Sequence, residues 1–366
     1  MENPKIAIID ADLIGRSRHR FPNLVCEKIS AYFKARGADV TLKLDYNNLE
    51  DYDEVYISKV FTDTPFPKNI QPSQKIHLGG TGFFFDKAPD LPNEIEHHFP
   101  DYHLYDEWVQ TQLDAGAPRA QFKEYLDYSI GFVTRGCFRK CGFCVNQKYS
   151  HVFCHSPLKE FYDPSRKKIC LNNDNFLGYP GWKPILEELI STGKPFKFKQ
   201  GLDERILTDE KCELLFKAKY DGDYTFAFDD IDDYELIEEK LKMIRRHTDT
   251  VRIKFYVLCG YKSTNESDIE DVFRRISLLW KYRCLPYIMR YQSEQDAPWK
   301  KSKHRGMYIN LARWCNQAGF CRKTSFRQYC KLNGVGSAAY RYMTAFESEF
   351  PEIASKYFDL KWSDYE

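Results

Sequence analysis

The sequence predicts an α/β protein in three parts: a doubly wound parallel sheet with a connector over 1–110, a partial (β/α)6 barrel over 120–292, and a small, mainly helical extension over 293–366. Three observations predict it. Short apolar runs alternate with helix-period segments in two successive series. A Pro- and acid-rich stretch from Lys87 to about Gln121 separates the series. The final part is basic and aromatic, with no Asp or Glu between Ala297 and Phe346.

In the first series Lys5 to Ile9 is an apolar strand, and Asn23 to Arg36 carries Leu24, Val25, Ile29, Tyr32 and Phe33 at helical spacing, with Gly37 where a C-cap glycine belongs. Val40 to Leu44, Glu54 to Val60 and Lys75 to Leu78 are further strands, the last running into Gly79-Gly80-Thr81-Gly82. Ligands of such sheets bind beyond the carboxyl ends of the strands, so Gly79 and Gly80 are candidate cofactor contacts, or simply a tight turn. In the second series Ser129 to Thr134, Lys168 to Leu171, Pro195 to Gln200, Tyr224 to Phe228, Arg252 to Leu258 and Pro286 to Arg290 are strands. Helical patterns separate them, the clearest placing Ile269, Val272, Phe273, Ile276, Leu279 and Trp280 on one face. The chemistry of a barrel sits at the strand ends that lead into the loops.

With 366 residues, 43% hydrophobic and 29% charged, the chain can bury a large core, and wholesale disorder is excluded. Lys and Arg number 54 against 53 Asp and Glu, so any attraction to nucleic acid or membrane is local rather than global. No apolar run approaches the roughly 18 residues that cross a bilayer. The opening MENPKIAIIDADLIG lacks the features of a secretory leader, which predicts a cytoplasmic protein. Twelve cysteines in a reducing compartment argue against a disulfide framework and leave metal binding as the use of the clustered ones.

The cluster is Thr134-Arg135-Gly136-Cys137-Phe138-Arg139-Lys140-Cys141-Gly142-Phe143-Cys144, spaced C-x3-C-x2-C after the first strand of the second series. Three thiolates can hold a four-iron cubane with one iron left open to an outside ligand. The alternatives are a zinc site completed by His151, Cys154 or His155, or three ordinary reduced cysteines. Asp229, Asp230, Asp232 and Asp233 follow the fourth strand of the series and suit an acidic helix start better than a cation site.

The spacing, with Gly136 before the first cysteine and Phe143 before the third, resembles the radical S-adenosylmethionine superfamily. The resemblance covers roughly residues 128–290, most specifically at the cysteines. It implies that Cys137, Cys141 and Cys144 ligate a [4Fe-4S] cluster and that S-adenosylmethionine chelates the open iron with Phe143 against its adenine. It further implies reductive cleavage to a 5′-deoxyadenosyl radical, fed by an electron donor such as flavodoxin or ferredoxin. Leu171-Asn172-Asn173-Asp174-Asn175 departs from the family's Gly-Gly-Glu segment, yet Asn173 and Asp174 offer acceptors for the methionine amine. Gln200, Asp203 and Arg205 stand where ribose and carboxylate contacts are expected, and Gly260, with Glu266 beyond it, where the adenine-side glycine segment is.

A doubly wound domain ahead of such a barrel resembles the cobalamin-binding members of the superfamily, whose fourth strand also enters a Gly-Gly turn. Their D-x-H-x-x-G lower-ligand pattern is not met: Asp10-Ala11-Asp12-Leu13-Ile14-Gly15 keeps the Asp and the Gly without a histidine. Corrinoid binding without that ligand stays open, as does a domain lacking the cofactor; the Arg16-Ser17-Arg18-His19-Arg20 loop is a phosphate candidate or a solvated loop. The layout also resembles superfamily proteins common in bacterial and bacteriophage genomes, through Phe21-Pro22-Asn23-Leu24, Ser58-Lys59-Val60-Phe61-Thr62 and Gln200-Gly201-Leu202-Asp203.

Ten Lys or Arg fall between Ala297 and Phe346, leaving a net −9 on the rest of the chain. Trp299, Tyr308, Trp314, Phe320, Phe326, Tyr329, Tyr340 and Tyr342 are interleaved with them, a mixture that suits a nucleic-acid substrate or a helical subdomain with an aromatic core. Cys315, Cys321 and Cys330, with Cys284, are candidates for an auxiliary cluster or buried hydrophobes. The expected activity is hydrogen abstraction from a nucleic acid or nucleotide. The alternatives are cobalamin-dependent methylation of a peptide or small molecule, and a non-catalytic zinc protein that binds nucleic acid.

Overall fold

The structure is a computed structural model that describes residues 3–293 and 296–365; Met1 and Glu2 of the opening segment, Glu294, Gln295 and Glu366 lie outside it. It is mixed α/β, and its strands within each larger sheet are parallel. The chain divides into two compact units, residues 1–179 with 187–199, and residues 180–186 with 200–366.

The first unit opens with β1 (Lys5–Asp10), β2 (Asp39–Leu42), β3 (Glu54–Ser58) and β4 (Ile76–Gly79), in the order β2-β1-β3-β4. β1 is apolar on both faces because both are covered. Ile6 and Ile8 pack with Cys26 and Ile29 of helix Leu24–Lys34 on one side, while Ala7 and Ile9 pack with Val55, Ile57 and Ile70 on the other. Asn23 caps that helix through Val25 N–H, and Gly37 beyond its end takes φ +81°. The stretch expected to be a connector contributes Ile95, Leu104, Tyr105 and Val109 to the first of these cores. At about 1.5–3 kcal/mol for each large apolar side chain buried, that segment is part of the domain's stability.

The same unit contains β5 (Tyr128–Gly131), then a two-residue ladder of β6 (Thr134–Arg135) with β7 (Phe153–Cys154), then β8 (Lys168–Leu171) and β9 (Phe196–Phe198). β5, β8 and β9 form a parallel sheet in that order. The single strand expected over 129–134 is therefore divided. β5 ends at Gly131, and Thr134 and Arg135 turn away to pair antiparallel with Cys154 and Phe153. Gly131 allows this close packing, since a Cβ there would run into the Phe161 ring.

In the second unit β10 (Tyr224–Ala227), β11 (Ile253–Cys259) and β12 (Leu285–Arg290) form a parallel sheet in sequence order. β11 buries Ile253, Phe255, Val257 and Cys259 on one face. Helices Tyr234–His247 and Glu266–Lys281 are the crossovers, and the chain continues through short helices from Arg305 to Tyr357. The six strands expected from the sequence for the second series are present, in two separate three-stranded sheets rather than in one closed barrel. Among the described residues no helix is long and apolar enough to cross a membrane.

Candidate metal centre

The cysteine loop leaves β6 and returns through β7, so the antiparallel pair closes its base. Gly136 opens it at φ +87°, with His151 carbonyl where a Cβ would stand. Only glycine accepts both the left-handed backbone and that approach. Within the loop Cys144 N–H donates to Cys141 carbonyl at 3.0 Å, a tight turn that brings the second and third cysteines back toward each other.

The loop is fastened from the segment after β8. Asn172 N–H donates to Gly131 carbonyl at 2.9 Å. Asn173, fully buried, accepts from Val133 N–H at 3.2 Å and donates to Thr134 Oγ1 at 2.9 Å. Asp174 accepts from Gly136 N–H at 2.7 Å on Oδ2 and from Asn146 Nδ2 at 2.9 Å on Oδ1, which brackets the loop on both sides of its cysteines. Asn175 Nδ2 donates to Cys137 Sγ at 3.4 Å. Asn173 and Asp174, expected to meet the methionine amine, are thus engaged in positioning the cysteines.

Cys137 Sγ also accepts from Arg139 N–H at 3.3 Å, and Cys144 Sγ from Asn146 N–H at 3.4 Å. Burial pushes the Cys144 thiol up, and the neighbouring Cys141 and Cys137 thiols add to it. Among the described residues no group of three or more His, Cys, Asp or Glu side chains stands at metal-holding separations. By their chemistry, three half-buried thiols, two of whose sulfurs meet N–H groups, are a donor set suited to an iron–sulfur centre. Of the proposed zinc partners, the two histidines contact other side chains, whereas Cys154 is an exposed free thiol. His151 packs against Phe153, Cys154 lies in β7, and His155 stacks on His97 at 5.2 Å with Nε2 3.4 Å from Glu96. Phe143 is half-buried in the loop between the second and third cysteines.

The remaining candidate site residues of the second series belong to the second unit. Gln200 is exposed. Asp203 is buried and bonds Arg205 Nε at 2.8 Å, and Arg205 Nη1 reaches Asp233 at 3.3 Å. Between them Glu204 accepts from Ala227 N–H at 3.1 Å, and burial, reinforced by Asp203, raises its carboxyl to about 8. Gly260 has φ +66°, and a Cβ there would stand 2.8 Å from Trp299 Cβ, so this chain's own tryptophan lies against it. Its N–H donates to Asp268 at 2.9 Å, and Tyr308 hydroxyl donates to the same oxygen at 2.7 Å. Asp230 accepts from Asp232 N–H, the capping role expected of the acidic run, and pairs with Lys262.

Sequence reasoning missed Arg275. Its buried guanidinium donates to the carbonyls of Phe228 at 2.9 Å, Asp229 at 3.2 Å and Leu258 at 2.8 Å, tying together the carboxyl ends of β10 and β11. The available signal was a lone cation inside the apolar stripe of helix Glu266–Lys281.

At the carboxyl edge of the N-terminal sheet Asp10 and Asp12 already have partners. Asp10 caps the turn after β1 and accepts from Tyr105 hydroxyl at 3.0 Å. Asp12, which occupies the histidine position of the corrinoid pattern, accepts from Val60 N–H at 2.6 Å and from Thr64 hydroxyl, and so holds the loop after β3. Gly80 has φ +99°, with Lys59 carbonyl where its Cβ would be, and Gly82 N–H donates to that carbonyl at 2.9 Å. Gly80 and Gly82 thus serve close packing on Lys59, while space beside Gly79 is open. These residues do not supply a lower ligand for a corrinoid. Cys284, Cys315, Cys321 and Cys330 are all buried, and burial raises Cys284 to about 11 and Cys330 to about 12.

No protein-family model and no curated protein matches the chain. Among solved structures it is similar to the cobalamin-dependent S-adenosylmethionine radical enzyme OxsB with aqua-cobalamin and S-adenosylmethionine bound, at 13% identity and a TM-score of 0.34, over 97% of this chain and 56% of that one. The form with aqua-cobalamin alone gives 14% and 0.33, over 97% and 57%. The chain thus spans a little over half the length of these structures, and likeness of this degree carries no argument about activity.

Proposed function

We propose that this chain is a radical S-adenosylmethionine enzyme in which Cys137, Cys141 and Cys144 hold a [4Fe-4S] cluster. The observation that carries the reading is the C-x3-C-x2-C loop, in which Cys137 Sγ receives N–H groups from Arg139 and Asn175 and Cys144 Sγ receives one from Asn146. A [4Fe-4S] cluster held by these cysteines would supply the electron for reductive cleavage of S-adenosylmethionine, the source of a 5′-deoxyadenosyl radical for hydrogen abstraction.

The chain's own residues position and shield. Asp174 and Asn173 fix the loop against β5 and β6, and Asn175 orients Cys137. Phe143 presents a half-buried ring beside the cysteines for the adenine. Gln200 after β9 is exposed, whereas Asp203 and Arg205 are bonded to each other. An electron donor such as flavodoxin or ferredoxin completes the system. No step is assigned to a corrinoid.

The test is anaerobic reconstitution followed by iron and sulfide analysis and electron paramagnetic resonance of the reduced protein, with and without S-adenosylmethionine. A [4Fe-4S] signal that changes on addition of S-adenosylmethionine and vanishes in Cys141→Ala supports the reading. Zinc in place of iron overturns it.

A further inference from the structure

The C-terminal helices leave part of their surface charged and unpartnered. Of the ten cations between Ala297 and Phe346, Lys301 pairs with Asp296, Lys303 with Glu349, and Arg327 with Glu347 and Asp359. The other seven are exposed and, among the described residues, join no ion pair. Most of the interleaved aromatics are core: Trp299, Tyr308, Trp314, Phe326 and Tyr329 are buried, while Phe320 and Tyr342 reach solvent. Base stacking on a broad aromatic platform is therefore unavailable, and the surface has to be read from what remains exposed.

Two of those seven cations, Lys331 and Arg341, stand on one hairpin beside exposed apolar side chains. Helix Phe326–Leu332 ends in a turn over 333–337, and helix Ala338–Glu349 follows. Every residue from Lys331 to Gly336 is exposed, and the end of the first helix and the turn carry the two most exposed large apolar side chains described, Leu332 at 69% and Val335 at 71%. The turn is built rather than loose. Gly334 takes φ +92° and donates to Lys331 carbonyl at 2.9 Å, and Ser337 caps the second helix through Tyr340 N–H. Arg341 Nη1 donates to Gly336 carbonyl at 3.0 Å, which holds its guanidinium at the turn. Lys331 and Arg341 thus flank Leu332 and Val335. The second helix buries Ala339, Met343 and Phe346, and shows solvent a stripe of Ala338, Arg341, Tyr342 and Ala345.

We propose that this hairpin is a nucleic-acid contact: Lys331 and Arg341 meet backbone phosphates, and Leu332 and Val335 lie as an apolar tip against sugars and base edges in a groove. A segment with no acid for fifty residues, in a chain otherwise net negative, selects a polyanion. The small outward residues Ala338 and Ala345 let the helix lie close to a groove. An anionic membrane would call instead for a broad face of large apolar side chains. This inference is independent of the cluster chemistry.

The test uses the full chain and fluorescence anisotropy with a short random-sequence duplex and its single strands, as DNA and as RNA, across a salt series. Polyglutamate and phosphatidylserine vesicles serve as competing polyanions. The expected result is nucleic-acid binding whose log affinity falls linearly with log salt. The double variant Lys331→Glu/Arg341→Glu weakens it about tenfold or more and reduces the slope by about one for each phosphate no longer neutralised. Leu332→Ser/Val335→Ser weakens it with the slope unchanged. Both variants keep the parent melting temperature, and the Cys137→Ala/Cys141→Ala/Cys144→Ala variant still binds. Absence of binding at low salt, indifference to both double variants, or equal or tighter binding to polyglutamate or vesicles overturns the proposal.

Discussion

The backbone N–H of Gly136 donates to the Asp174 carboxylate at 2.7 Å, joining the start of the cysteine loop to the loop that follows β8. The other oxygen of the same carboxylate takes Asn146 Nδ2 beyond the third cysteine. One acidic side chain therefore fastens the cysteine loop on both sides of its three thiols.

Removing that bracket loosens the loop without touching a ligand. Asp174→Ala loses hydrogen bonds to an ionised group worth about 1.5–3 kcal/mol each. The expected outcome is markedly lower iron retention after desalting, with the far-ultraviolet circular dichroism unchanged. Asp174→Asn, which keeps one acceptor, falls between the two, and iron per chain is the measurement.

Gly136→Ala places a Cβ against His151 carbonyl at a backbone angle that L side chains rarely adopt. It should destabilise by about 1–3 kcal/mol or more and lower cluster content. Gly79→Ala, with open space around it and no positive φ, should stay within about 0.5 kcal/mol of the parent in urea unfolding.

Stability falls with rising pH across two buried acids. Burial raises Glu204 from 4.5 to about 8 and Asp10 from 3.8 to about 7. In each window the folded chain holds a proton that the unfolded chain has released, so the stabilisation is complete below the unfolded value and is lost as pH climbs through the folded one. Glu204→Gln removes one such contribution and should flatten the stability profile between about pH 5 and 8 by up to about 1.4 kcal/mol per pH unit. Urea unfolding at several pH values, parent against variant, measures it.

Asp12 and Gly80 bear on the corrinoid. With Asp12 holding the loop after β3 and Lys59 carbonyl packed on Gly80, incubation with hydroxocobalamin followed by desalting should leave no cobalt on the protein. Cobalt at one equivalent per chain would show that this edge opens further than its hydrogen bonds suggest.

Much of the fold was legible in the sequence because the strands are short apolar runs and the helices carry regular stripes, as in β11 and helix Glu266–Lys281. The cysteine motif was equally plain, since its spacing is local. The roles of Asn173 and Asp174 were not: whether an acceptor faces a ligand or the loop beside it depends on Thr134 and Arg135 leaving the strand to pair with Phe153 and Cys154, a pairing between distant residues with no local pattern. Gly260 was singled out as an adenine contact, but Trp299, which packs against it, comes from beyond β12 and could not be placed by spacing. The tail illustrates the same limit, because composition alone does not separate its buried aromatics from its exposed Leu332 and Val335.

The most direct test of the central claim is to assay 5′-deoxyadenosine by mass spectrometry after anaerobic reconstitution with iron and sulfide, addition of dithionite and S-adenosylmethionine, and a parallel Cys141→Ala control. The parent chain should form 5′-deoxyadenosine and the variant none. Iron-free protein carrying zinc, or product formed equally by Cys141→Ala, would contradict the cluster assignment.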